Sequence, residues 1–146
     1  MLTHRKGRAK VKIHHIGYLV DDIEHSANEF KKLGFSLRTC EAVEDLSREV
    51  FIMFLDNKAL QTVELIQPFN DTSLFNGLRK KYRNSPYHIG YETDDLHGQI
   101  ENLVTLGGYT MIQPPQPAPA IQGCPNVAFL FNKYLGIIEL VERVKI

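Results

Sequence analysis

Apolar and polar residues alternate through VKIHHIGYLV (11–20), the period of a β-strand, with Ile13, His15, Gly17 and Leu19 on one face and His14, Ile16, Tyr18 and Val20 on the other. The period then lengthens. Ile23, Ala27, Phe30 and Leu33 recur at helical spacing, preceded by Asp21 and Asp22 as N-cap carboxylates and closed by Gly34 in a C-cap position. Three more runs, SLRTC, VFIMFL and TVELI, read as strands. The same grammar returns downstream, where Asp94 and Asp95 lead into Leu96, Ile100, Leu103 and Leu106, with Gly107 as terminator. The strands YTMIQ, VAFLF and IIELV follow.

The two halves also share letters. HIGYLVDD from His15 returns as HIGYETDD from His88, an offset of 73 residues with six of eight residues identical, and Leu33-Gly34 returns as Leu106-Gly107 at that same offset. The expected fold class is therefore α+β, two tandem βαβββ modules within a single domain over 11–146. Module one covers about 11–68, a linker helix about 71–84 and module two about 86–146. Residues 1–10 read as a flexible basic N-terminal tail.

Two segments lie outside the repeat. SLFNGLRKKY places Leu74, Leu78 and Tyr82 on one stripe of the linker helix, and its Arg79, Lys80, Lys81 and Arg83 form a solvated face or a contact for an anionic substrate tail. In PPQPAPAIQGCP, five prolines from Pro114 to Pro125 speak against regular strand pairing. A stiff connecting loop is expected there, with the wall of a substrate pocket as the second possibility.

Composition narrows the function. The formal charge is zero over 146 residues, but Arg5, Lys6, Arg8, Lys10 and Lys12 stand in the first 12 with no acid among them; the remainder, 12 basic against 17 acidic, carries −5. Such a body is no nucleic-acid platform. No apolar run approaches the roughly 20 residues of a membrane span, and the basic tail lacks the apolar core of a secretory leader. Cys40 and Cys124 occupy non-equivalent places, which argues against a disulfide framework and for a reducing cytoplasm.

The chemistry sits in the repeat. Each copy ends on an apolar strand with one acid, Glu64 in TVELI and Glu139 in IIELV, 49 residues after His15 and 51 after His88. A carboxylate among Val, Leu and Ile costs several kcal/mol to desolvate unless a cation compensates it. Packing the modules together brings two imidazoles and two carboxylates to one point, so His15, Glu64, His88 and Glu139 are the expected metal ligands. Such donors suit one divalent ion, Ni, Co, Zn or Mn, or Fe(II), with coordination positions left for substrate oxygens. The repeat matches His15 with His88 but His14 with Tyr87, and strict alternation puts His14 on the other face. His14 is expected to pack or face solvent.

These residues make the chain resemble the vicinal oxygen chelate superfamily, in its glyoxalase I and methylmalonyl-CoA epimerase branches. The resemblance runs from about Val11 to Glu142 and rests on the HIG openings, the VELI and IELV closings and the run Val127-Ala128-Phe129-Leu130. It implies a curved mixed sheet around the metal, with a His on the first strand and a Glu or Gln on the last strand of each module. It further implies a metal-dependent lyase or isomerase that removes a proton next to a carbonyl through a metal-stabilised enediolate, Glu139 being the base and Glu64 the partner that returns the proton. A glyoxalase I-type substrate is the thiol hemithioacetal of a 2-oxoaldehyde. The alternatives are an epimerase of methylmalonyl-CoA type acting on an acyl-CoA thioester, and a metal-free drug-binding protein; extradiol oxygen chemistry fits this ligand set less well. For the epimerase the resemblance implies a second, non-ligand acid in the strand VFIMFL, where Phe51 stands, or Glu49 after a slip of two. A small-molecule thioester or hemithioacetal and a second copy of the chain, forming a homodimer, are the expected partners, with no nucleic acid and no membrane.

Overall fold

The computed structural model describes residues 11–71 and 75–144, so the basic tail and Leu74 lie outside the described residues. The first module is built from β1 (Val11–Leu19), α1 (Ile23–Lys32), β2 (Ser36–Leu37), β3 (Val43–Asp45), β4 (Val50–Asp56) and β5 (Thr62–Pro68). A short α2 (Asn76–Lys81) connects it to β6 (Ser85–Thr93), α3 (Leu96–Thr105), β7 (Tyr109–Pro117), β8 (Asn126–Asn132) and β9 (Gly136–Glu142). One curved mixed sheet holds all nine strands in the order β2-β4-β5-β1-β6-β9-β8-β7, with β3 paired to β4. The order is a palindrome of the repeat: β1 pairs parallel with β5 as β6 does with β9, and the modules join by antiparallel pairing of β1 with β6.

Both main helices start as the sequence indicates. Asp22 accepts a hydrogen bond from the His25 backbone N–H, and Asp95 from that of Gly98, each at 3.0 Å, a cap contributing about 1 kcal/mol. They end one residue sooner than the apolar stripes suggest. Leu33 and Leu106 are the C-caps and are exposed at 73% and 84%, because Gly34 (φ +95°) and Gly107 (φ +83°) turn the chain away from the sheet there. Ile23 and Ala27 of α1 pack with Met53, Leu55, Val63 and Leu65; Leu96 and Ile100 of α3 pack with Ala128, Leu130, Ile138 and Leu140. A third cluster, including Leu19, Ile52, Phe54, Ile66, Tyr87 and Val127, fills the other face of the sheet.

Three local expectations are corrected. The linker helix covers only 76–81, with Leu78 and Tyr82 half-buried against the third cluster. Half of its basic cluster is internal glue, since Arg79 and Arg83 both donate to the carboxylate of Asp21. The prolines do not stop strand pairing. β7 runs through Pro114 and Pro115 to Pro117 because it is the sheet edge, where one side needs no donors, and its register with β8 jumps from Gln113↔Phe129 to Gln116↔Val127, which bulges both prolines out of the ladder. SLRTC yields only the two-residue β2. Cys40 and Cys124 are exposed free thiols, and no helix among the described residues is long and apolar enough to cross a membrane.

Candidate metal centre

Register places the four expected ligands. Across β5, β1 and β6, Glu64 stands opposite Gly17 and Gly17 opposite His88; across β9, β6 and β1, Glu139 stands opposite Gly90 and Gly90 opposite His15. Each row therefore reads Glu, Gly, His. The glycine leaves a gap over which the imidazole lies, so that His88 covers Gly17 and His15 covers Gly90. The two rows are neighbours, and the four side chains meet from the central strands of one chain.

Their ligand atoms all lie within 4.8 Å of one another, and all four residues are buried. His15 Nε2 is 3.0 Å from His88 Nε2, 2.9 Å from Glu139 Oε1 and 3.2 Å from Glu64 Oε1; His88 Nε2 is 3.4 Å from Glu64 Oε1 and 3.6 Å from Glu139 Oε1. These are the separations of donors about 2.1 Å from a shared ion at angles of roughly 90–120°. Neither Oε1 finds a hydrogen bond of acceptable geometry, and two imidazole nitrogens point at one another. Buried acceptors converging without donors are what a cation satisfies. The donor set fits a divalent metal.

The electrostatics agree. Burial alone disfavours a charged His15, but the charges of Glu64 and Glu139 outweigh it and push its pKa up to about 10. Burial opposes ionisation of Glu64 and Glu139 as well, and the charge of His15 outweighs it, holding both carboxyls below their ordinary range. Without a cation, the site takes up protons in its place.

His14 departs from the alternation. The β1–β6 register shifts between Ile13 and His15, leaving His14 on a bulge with its Nδ1 2.8 Å from His15 Nδ1. It lies outside the four-residue cluster, yet it touches His15. Burial, followed by the charge of His15, lowers its pKa.

A narrow cleft, its cavity about 20 Å³, opens onto Glu64 and Glu139. Its wall includes Ala118, Ala120 and Ile121 from the proline-rich segment, so that segment is pocket wall as well as connector. Also in the wall is the ion pair Asp45–Arg48, joined at 2.6 Å; both residues are buried, and sequence patterning did not single them out. An acid and a base three residues apart in EDLSRE are an ordinary surface pattern, and only burial makes them distinctive. Phe51 packs on Phe69 and the α1-side cluster, and Glu49 sits in a left-handed turn (φ +56°); neither lines the cleft. A second, apolar cleft, lined by Phe75, Leu78, Tyr87, Ile112, Gln113, Phe129 and Ile137, shares Phe75 and Phe129 with the first.

One family model matches the sequence over residues 14–129, through both strands that carry the histidines. The chain belongs to the glyoxalase/bleomycin resistance protein/dioxygenase superfamily. Solved structures of similar fold include a hypothetical protein from Bacillus halodurans C-125 (TM-score 0.80, 23% identity, 94% of this chain and 98% of that one). Methylmalonyl-CoA epimerase from Mycobacterium tuberculosis superposes with TM-score 0.81 at 18% identity, over 97% of this chain and 95% of that one. The Streptomyces coelicolor epimerase in complex with 2-nitronate-propionyl-CoA does so with TM-score 0.74 at 18% identity, over 94% and 100%. At these identities the likeness is one of fold alone. No curated protein matches the chain.

Proposed function

We propose that this superfamily member is a metal-dependent lyase or isomerase of glyoxalase I type, removing a carbon-bound proton next to a carbonyl in the thiol hemithioacetal of a 2-oxoaldehyde. The observation that carries this reading is the pair of buried carboxylates, Glu64 and Glu139, flanking two imidazoles at the end of a cleft. His15, His88, Glu64 and Glu139 would hold one divalent ion. That ion supplies Lewis-acid stabilisation of the negative charge that develops on substrate oxygen.

The remaining work belongs to side chains. Glu139 is the base that takes the proton, and Glu64, its repeat-related counterpart, is the group that returns one. Both residues line the cleft together with Val50, Ile52, Ile66, Val127 and Phe129, an apolar wall that keeps water from competing for the proton. The apolar cleft beyond Phe75 and Phe129 accommodates the non-reacting part of the substrate. All four ligands come from one chain, so the ligand set requires no residue from a second copy.

Epimerisation of an acyl-CoA thioester is the second reading, favoured by Asp45, a non-ligand carboxylate in the same cleft. It ranks second because Asp45 is tied down: Oδ1 accepts from Ser47 Oγ and the Arg48 backbone N–H, and Oδ2 from Arg48 Nη1. Metal-free drug sequestration would leave two carboxylates buried beside imidazoles to no purpose. Protein loaded with nickel or cobalt and given methylglyoxal with glutathione or bacillithiol is expected to form the 2-hydroxyacyl thioester. No turnover there, with deuterium entering methylmalonyl-CoA from D2O instead, would establish the epimerase; stoichiometric drug binding without bound metal would establish sequestration.

A further inference from the structure

The repeat is symmetric in its ligands and asymmetric behind them. Both first strands carry a register shift at the residue immediately before the histidine, at His14 in β1 and at Tyr87 in β6. His14 meets the His15 ring edge-on, with centroids 5.1 Å apart at 84°, and Tyr87 meets the His88 ring at 4.4 Å and 83°. Only the first contact is also polar. His15 Nδ1 lies 2.8 Å from His14 Nδ1, whereas His88 Nδ1 and the Tyr87 hydroxyl are buried without a hydrogen-bond partner.

The tautomers follow from the ligand set. An imidazole that offers the Nε2 lone pair to a cation carries its proton on Nδ1, and the acceptor in reach of that proton is His14 Nδ1, whose own hydrogen is then on Nε2. We propose that His14 is a positioning residue, accepting the Nδ1–H of His15 so that the ring's angle is set before the ion arrives and its remaining proton stays on Nδ1 when Nε2 ligates. His88 has no such support and is oriented by packing, over Gly17 and against Tyr87 and Phe129. The inference rests on the four-residue metal site. It gives one half of a duplicated centre a prepared ligand and the other a ligand held by shape.

Titration of metal-free protein with Co2+ and Zn2+, in competition with a chromophoric chelator, tests it on wild type, His14→Leu and His14→Asn. His14→Leu keeps bulk and removes the acceptor; it should weaken metal binding roughly 10–100-fold. His14→Asn places a carbonyl oxygen where Nδ1 was and should recover most of the affinity. Imidazole 15N spectra of the zinc-loaded wild type should show His15 protonated at Nδ1, a reading that stands even if His14→Leu does not fold. Equal affinity in wild type and His14→Leu, equal loss in both variants, or an unprotonated His15 Nδ1 would overturn the role of His14. Absence of metal uptake by the wild type would instead remove the centre itself.

Discussion

Gly90 lies beneath the imidazole of His15 so closely that a β-carbon at position 90 would stand 2.3 Å from His15 Cε1. Gly17 stands in the same relation to His88, at 2.1 Å. The glycine of each HIGY motif thus serves the histidine of the other copy. Gly90→Ala or Gly17→Ala must push a ligand ring out of line, and each is expected to cost about 1–3 kcal/mol in denaturant unfolding, as overpacked cores do. Each should also weaken metal binding in a chelator competition. Gly77 in α2 has open space around it, so Gly77→Ala should be neutral or stabilising by up to about 1 kcal/mol.

Replacing either carboxylate separates ligation from proton transfer. Glu139→Gln retains an oxygen donor but no base, and turnover by protein saturated with metal should fall by about 10²–10⁴. Glu64→Gln should reduce product formation while permitting more exchange of the substrate proton with solvent. Measurement of turnover together with deuterium exchange distinguishes the two roles, and identical losses in both would show that the copies work as equivalents.

Metal binding should release protons. In the metal-free protein His15 has a pKa raised to about 10, so it is protonated at neutral pH and must lose that proton to ligate; Glu64 and Glu139, their carboxyls held low, are already ionised and release none. Calorimetric titration in buffers of different ionisation enthalpy should therefore show more than one proton released near neutrality, since His88 is raised as well as His15, and fewer as the pH passes through about 10. A release of zero at neutral pH would mean that the four residues are not the ligands.

Arg48 bridges the two modules, donating to Asp45 in one and to the Pro117 carbonyl in the other. Arg48→Met leaves Asp45 as a buried charge without its guanidinium and should destabilise the fold by about 3–5 kcal/mol in chemical denaturation. The double variant Asp45→Asn, Arg48→Met should recover much of that loss, because both charges are then gone.

How far the chain is legible depends on whether a feature is periodic. The β1 and β6 strands, the capped helices and the acids in TVELI and IIELV are local patterns written twice, and duplication lifts them above chance. The Asp45–Arg48 pair is written once. Its side chains are buried only because β7 crosses to place Pro117 and Ala118 over the β3–β4 hairpin. The alternation of β1 also misplaced Ile13, which is exposed at 61% rather than sharing the buried face of His15, since a bulge arises from pairing with β6, which no single strand contains.

By itself the sequence determined that two similar βαβββ units each carry one imidazole and one carboxylate, because strand and helix periods and their caps are set by neighbours a few residues apart. Only the tertiary structure decided that the two units share one sheet, that the register puts a glycine between each Glu and His, and that a proline-rich edge strand closes the cleft. Those outcomes depend on backbone pairing between residues 47 to 82 positions apart, whose alignment is chosen by the packing of the whole sheet.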